Sequence, residues 1–218
     1  MSNGAFVFTT NVDGQFQKAG FGAGRLCEVH GSIHHLQPAD PAAVLHEWQR
    51  AGPTSPQQPA SGAKVVHSVQ GTPLITSADH VQLDVDMEAL RVPSRSLPPW
   101  PAPGGGYSSE LARPNIKMFC DESFVAGRQR HQVQAFKDWV GQAFGTGGTV
   151  VLDAGSGTHV PVSRITAEQV AAQLQAPLIR INPRESHVAS SHTSADNAVS
   201  MACGALEGLS LIHECLQE

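Results

Sequence analysis

A basic run is missing from this chain: 14 lysines and arginines lie scattered against 19 aspartates and glutamates, for a formal net charge of −5. Nucleic acid and anionic membranes are recruited by clustered cations, so neither is expected as a partner. Long apolar runs are also missing. None approaches the roughly 18 residues of a membrane span, and the opening MSNGAFVFTT has no basic stretch ahead of a long apolar one. A cytoplasmic protein is expected. Cysteine is scarce and dispersed, with Cys27, Cys120, Cys203 and Cys215 forming no C-x-x-C pair. That spacing argues against a disulfide framework and against a thiolate zinc site, leaving four free thiols.

What remains is 218 residues, enough for one domain with a small insert. Proline marks where the chain changes character: 12 of 15 fall between Pro38 and Pro114, along with Gly104-Gly105-Gly106 and PTSPQQPASG. Regular structure is expected to be sparse there, limited to a strand in KVVHSV (64–69), a half-exposed strand in HVQLDVDM (80–87) and a helix in AAVLHEWQ (42–49). The stretch reads as an inserted, loop-rich module. On its flanks AFVFTT (5–10), TVVLDA (149–154) and PLIRIN (177–182) are short apolar runs ending in polar residues, as in parallel strands buried on both faces. Helical spacing links Val133, Phe136, Val140 and Phe144, and again Leu206, Leu209, Ile212 and Leu216. Thr166-Ala-Glu-Gln169 fits a capping box, with Pro177 closing the helix that follows. Strand, helix, strand, helix predicts an α/β fold with a Rossmann-like parallel sheet.

Ligands of open parallel sheets sit beyond the carboxyl ends of the strands. Three strand ends are polar here: Thr9-Thr10-Asn11-Val12-Asp13-Gly14, Asp153-Ala-Gly-Ser-Gly-Thr158 and Asn182-Pro-Arg-Glu185. Parallel strands would bring all three to one site. Singly, each has a plainer reading, since Asn-Val-Asp-Gly and Gly155-Ser156-Gly157 both serve as turns. Glycine directly after a buried strand also permits close approach of a phosphate or ribose. His30, His34 and His35 lack a cysteine or acidic partner at ligand spacing, which argues against a metal there. His30, before a small flexible Gly-Ser pair, can present its ring to a cleft as a general base, although a surface histidine is the plainer reading.

In order along the chain, these segments resemble the sirtuins, NAD-dependent protein deacylases. Thr9 to Asp13 is similar to the family's TQNID, Glu28-Val29-His30-Gly31-Ser32 to its E-x-HGS, and Arg113-Pro114-Asn115-Ile116-Lys117-Met118-Phe119 to RPN-x-x-x-F. Gly155-Ser156-Gly157-Thr158 is similar to the glycine-threonine-serine ribose loop, and Ile181-Asn182 to the (I/L)N of the late strand. The resemblance implies a Rossmann-like NAD domain in two parts, residues 1–37 and 113–218, carrying an inserted small module over 38–112. It implies an NAD-consuming transferase with an acyl-lysine protein or peptide as partner. His30 would be the base, Asn11 would orient ribose and water, and Asp13 would hold the nicotinamide carboxamide. Thr9 and Thr10 would line the NAD site, Gly155, Ser156 and Asn182 would contact the adenosine side, and Met118 and Phe119 would border the acyl-lysine channel.

Two departures qualify that expectation. Sirtuins hold the small module with four zinc-bound cysteines, where this chain has Pro38, Ala42, Trp100 and Pro103, so no zinc is expected. The family's strand and Gly-Ala-Gly-x-Ser loop precede the segment that opens this sequence. Impaired turnover is therefore expected, as is a homo-oligomer through a sheet edge exposed near Ala5 to Thr9. Two rival readings are kept. VVLDAGSGT imitates the S-adenosylmethionine loop of methyltransferases, but too little chain follows Asp153 for the rest of that fold. The other rival is a catalytically silent module that binds NAD, ADP-ribose or a protein partner.

Overall fold

The computed structural model describes residues 4–52, 64–69, 72–79, 81, 83–89, 91–103, 105–188 and 197–217. It is a mixed α/β structure in which the chain divides into two compact units, 1–134 and 135–218.

The first unit opens with β1 (Val7–Thr9), followed by the short helix α1 (Gln15–Lys18) and by β2 (Leu26–Glu28). β1 and β2 pair in parallel, with Thr9 opposite Glu28. Leu26, Cys27 and Glu28 are all buried, although β2 is short and pairs with β1 alone among the described residues. Next come β3 (Gly31–Pro38), α2 (Pro41–Ala51), β4 (Val65–Val69), β5 (Thr72–Ser77), β6 (Pro99–Pro101) and β7 (Tyr107–Ile116). These five strands form an antiparallel sheet in the order β4-β5-β3-β7-β6. Its strand β3 begins at Gly31, directly after His30, and β7 carries Arg113-Pro114-Asn115, so the two motifs meet at one end of a β3–β7 pair.

α2 begins where local chemistry dictates. The Asp40 carboxylate accepts the N–H groups of Ala42 and Ala43 at 2.9 and 3.1 Å, and Pro41 supplies a first helical residue that has no N–H to satisfy. Val44 then faces inward with Leu36, Leu74, Ile75, Trp100 and Val125, the core of this unit.

The proline-rich stretch holds more strand than the sequence predicts, because its prolines occupy positions where a ladder can spare a donor. Pro99 and Pro101 lie on the edge strand β6, and Pro73 and Pro114 sit beside register shifts. The strand expected over 80–87 does not form in the described residues. Leu83 to Val85 are exposed and outside any strand, and Asp86 caps a turn by accepting the N–H groups of Glu88 and Ala89. Alternation without a neighbouring strand to bond it leaves a loop. His80 and Gln82 lie outside the described residues.

α3 (Gly127–Ala143) follows, and the second unit then places β8 (Val151–Ala154), α4 (Val162–Leu174), β9 (Leu178–Ile181), β10 (Ala198–Met201) and α5 (Ala205–Cys215). β10, β9 and β8 form a parallel sheet in that order, so the parallel pairing predicted for TVVLDA and PLIRIN is present. The burial is uneven: β9 is interior, but Leu152 of β8 is 45% exposed. α4 starts earlier than the capping box implies. Thr166 lies inside the helix and its hydroxyl donates to the Val162 carbonyl one turn back at 2.8 Å, so it caps nothing. The helix ends on Gln175 in the left-handed region, with Pro177 leading into β9. α5 packs on β9 at Gly208, where a Cβ would lie 2.7 Å from Ile181. Among the described residues, no helix is long and apolar enough to cross a membrane.

Candidate functional site

His30 sits in the turn between β2 and β3, and its surroundings follow from strand pairing. Because β1 runs parallel to β2, the Thr9 to Asp13 segment leaves its strand beside the HGS turn. The Thr9 carbonyl accepts the Val29 N–H at 3.0 Å, and the Val12 carbonyl accepts the Ile33 N–H at 2.9 Å. The His30 ring is hydrogen-bonded to the Thr10 backbone. His34 Nε2 lies 3.2 Å from the Asp13 carbonyl oxygen. From the other side β7 closes on the same turn, where the Lys117 N–H donates to the His30 carbonyl at 2.9 Å. Gly31 makes that closure possible: its φ is +89°, and a Cβ there would overlap the Asn115 carbonyl.

Backbone bonds thus bring the Thr9 to Asp13 segment and Lys117 to the turn that carries His30. Thr9 is buried and its hydroxyl accepts the Asn11 N–H at 3.1 Å. Asn11 is exposed beyond it, and Asp13 accepts the Gln15 N–H at 3.1 Å just ahead of α1, whose N-cap is Gly14. Met118 and Phe119 follow Lys117 directly and are open to solvent, at 61% and 86% exposure. Burial and the nearby Lys117 ammonium lower the pKa of His30, with the Thr10 backbone opposing them. The two lowering influences favour the neutral imidazole, the form that can accept a proton.

The RPN motif divides its work. Arg113 Nη2 binds both carboxylate oxygens of Asp121 at 2.8 and 2.9 Å. Partial burial pushes the Asp121 carboxyl up, but Arg113, Ser123 and the Met118 N–H outweigh it and hold it below the usual range. Asn115 is buried and donates to Gln37 Oε1 at 2.8 Å and to the Val125 carbonyl at 3.1 Å. Both side chains fix the strand and the loop after it.

No protein-family model matches the chain, and no curated protein matches it. The site is thus read from its own chemistry.

In the second unit β8 and β9 end side by side, which unites the other two polar groups. Ser156 donates to Asp153 Oδ2 at 2.6 Å, and Asn182 Nδ2 donates to the Ser156 carbonyl at 3.0 Å. Asn182 Oδ1 accepts the N–H groups of Arg184 and Glu185, each at 2.9 Å. The Ser156 side chain braces its own loop, and the Asn182 side chain ties the two loops together. Gly155, exposed with φ of +77°, presents backbone at the strand end. Thr158 donates to Glu185 at 2.5 Å, and that bond leads the influences lowering the Glu185 pKa. Beneath the loops lies Arg180, fully buried, with Nε 2.7 Å from Asp153 and Nη1 3.0 Å from Glu168.

Several supporting residues escape the sequence reading. Lys117 follows RPNI without any pattern of its own. Arg128, Gln129 and Gln132 share a helix face at the start of α3, but nothing in the sequence says what that face meets. Among the described residues no group of three or more His, Cys, Asp or Glu side chains is placed to hold a metal ion.

Proposed function

We propose that this chain is a sirtuin-like NAD-dependent protein-lysine deacylase, on a Rossmann-like α/β frame with an inserted small module. The observation carrying this reading is a half-buried His30 held at the turn where the Thr9 to Asp13 segment passes it. NAD, consumed as co-substrate, would supply an electrophilic ribose carbon once nicotinamide departs. His30 would accept a proton from a ribose hydroxyl, since the neutral form of its ring has a free lone pair. Asn11, exposed next to it, would orient ribose and water, and Asp13 would hold the nicotinamide carboxamide. Gly155, Ser156 and Asn182 would form the adenosine side, and Thr9 and Thr10 would line the NAD site as well. Met118 and Phe119 would meet the acyl-lysine stem through apolar contact.

The module would hold without zinc. Of the four residues in the places of the family's cysteines, Trp100 and Pro38 are buried. Trp100 belongs to the apolar core of the sheet, so packing stands where metal ligation would otherwise fold the module.

The test is nicotinamide release from NAD with an acetyl-lysine peptide, for wild type and His30→Ala. Loss of the base should slow release by on the order of 100- to 10,000-fold. Equal rates would remove His30 from the chemistry. The high exposure of Met118 and Phe119 favours a second reading, a silent NAD- or ADP-ribose-binding module that encloses no acyl chain. Thermal stabilisation by ADP-ribose without any nicotinamide release would select it.

A further inference from the structure

His30 lies two residues beyond β2, and its aim depends on what holds that strand end. One edge of β2 is covered by β1, whose Thr9 carbonyl takes the Val29 N–H at 3.0 Å. On the other side, no strand pairs with β2 among the described residues. Side chains from the first turns of α3 take over instead. Gln132 Oε1 accepts the Glu28 N–H at 3.1 Å, and Gln129 Nε2 donates to the Val29 carbonyl at 3.3 Å. Arg128 Nη2 binds Glu28 Oε2, with Glu28 1% and Arg128 10% exposed. Positions 128, 129 and 132 fall on one face of the helix, and that face grips two consecutive residues just ahead of the histidine.

From this geometry we infer that Arg128, Gln129 and Gln132 are positioning residues for His30. The inference rests on the reading of His30 as the base and adds the device that aims it. The peptide before His30 is held by α3, and the carbonyl of His30 itself is held by Lys117, so the turn is clamped on both sides. A ring on a clamped turn keeps its place against the Thr10 backbone. A ring on a loosened turn drifts, and a shift of about 1 Å in a reacting group can cost on the order of 100-fold in rate. The buried ion pair between Arg128 and Glu28 anchors the grip, and Gln129 makes the contact nearest the histidine.

Gln129→Met in the full chain removes the donor to Val29 while leaving the ion pair in place. Gln129→Lys restores a donor of similar reach. Gln132→Met, which takes the acceptor from the Glu28 N–H, is measured in parallel so that two separate contacts to the same strand end are tested. Two quantities are measured: the His30 imidazole titration by NMR, assigned with His30→Ala, and the steady-state parameters of nicotinamide release. In both methionine variants the His30 midpoint should rise toward that of an ordinary imidazole as the ring is freed into water. Their kcat should fall about 10- to 100-fold with KM for NAD unchanged, and Gln129→Lys, whose charge by itself depresses the His30 midpoint, should recover kcat. An unchanged midpoint in both folded methionine variants overturns the inference, as does a loss carried entirely by KM. A wild type that releases no nicotinamide, yet shows the midpoint shift in the variants, removes the deacylase reading and leaves the positioning role standing.

Discussion

Replacing Arg180 by methionine should be among the most damaging single changes in the second unit. The guanidinium is fully buried, with Nε 2.7 Å from Asp153 and Nη1 3.0 Å from Glu168 and 3.1 Å from the His187 carbonyl. Methionine fills much of the volume but leaves Asp153, 6% exposed, without its cation. Breaking a buried pair from one side typically costs about 3–5 kcal/mol, because the stranded charge cannot reach water. Set against a typical total of about 5–15 kcal/mol, that is a large share of the stability. At about 2–4 °C per kcal/mol for a chain of this size, the melting temperature should drop by about 6–20 °C. Asp153→Asn should cost less, since the amide oxygen still accepts from Ser156 and Glu168 still pairs with Arg180. Arg184→Met, at an exposed position in the neighbouring loop, is the control and should lie within about 0.5 kcal/mol of wild type. Urea unfolding followed by circular dichroism reads all three. A loss below about 1 kcal/mol for Arg180→Met, or a larger loss for Asp153→Asn, would refute the claim that the buried pairs of Arg180 are a main support of this unit.

Gly31→Ala should destabilise by more than the roughly 1–2 kcal/mol of a left-handed residue alone, because its Cβ meets the Asn115 carbonyl; a wild-type urea midpoint would contradict the close approach. Cys27 should resist alkylation in the native state, since burial pushes its thiol up to about 12, with Arg128 opposing and Glu28 adding. The exposed Cys120 and Cys215 should react within minutes, and mass-spectrometric mapping of the modified sites checks both. Burial lowers the His35 pKa to about 4, helped by Arg128 and opposed by Glu28. Its folded pKa is depressed, so the stability it contributes is complete above the unfolded value near 6.5 and lost as pH falls toward about 4. The urea midpoint should therefore decline between pH 7 and 4, and His35→Leu should flatten that decline. Chelation by EDTA should leave the melting temperature unchanged and elemental analysis should find no stoichiometric zinc; about one zinc per chain would overturn the apolar-core account of the module.

Much of this architecture can be read from local chemistry. AAVLHEWQ announces α2, the spacing of Val133, Phe136 and Val140 announces α3 although Phe144 falls just beyond it, and the apolar runs before Asp153 and Asn182 announce parallel strands. The failures have a shared cause, which is that a strand exists only where another strand bonds it. HVQLDV alternates, yet its described residues lie outside any strand, and Ala198–Met201 becomes β10 through β9 although it has no apolar run. β6 and β7 pair across a stretch whose prolines argue against a strand in sequence but are tolerated at an edge. At the candidate site, the residues around His30 are legible as short motifs because each motif is contiguous. The grip on β2 is not, since glutamine and arginine on a helix face look the same whether they meet water or a strand.

That grip also places the site in time. Glu28 and Val29 find their α3 partners at sequence separations of 100 to 104 residues. At synthesis rates of about 5–20 residues per second, roughly 5–20 s pass between the emergence of β2 and that of the helix face that covers it. Throughout that interval the Glu28 carboxylate lacks its arginine and the Glu28 and Val29 peptides lack their glutamine partners. The turn that presents His30 is therefore completed late on the ribosome, after the antiparallel sheet has been translated in full.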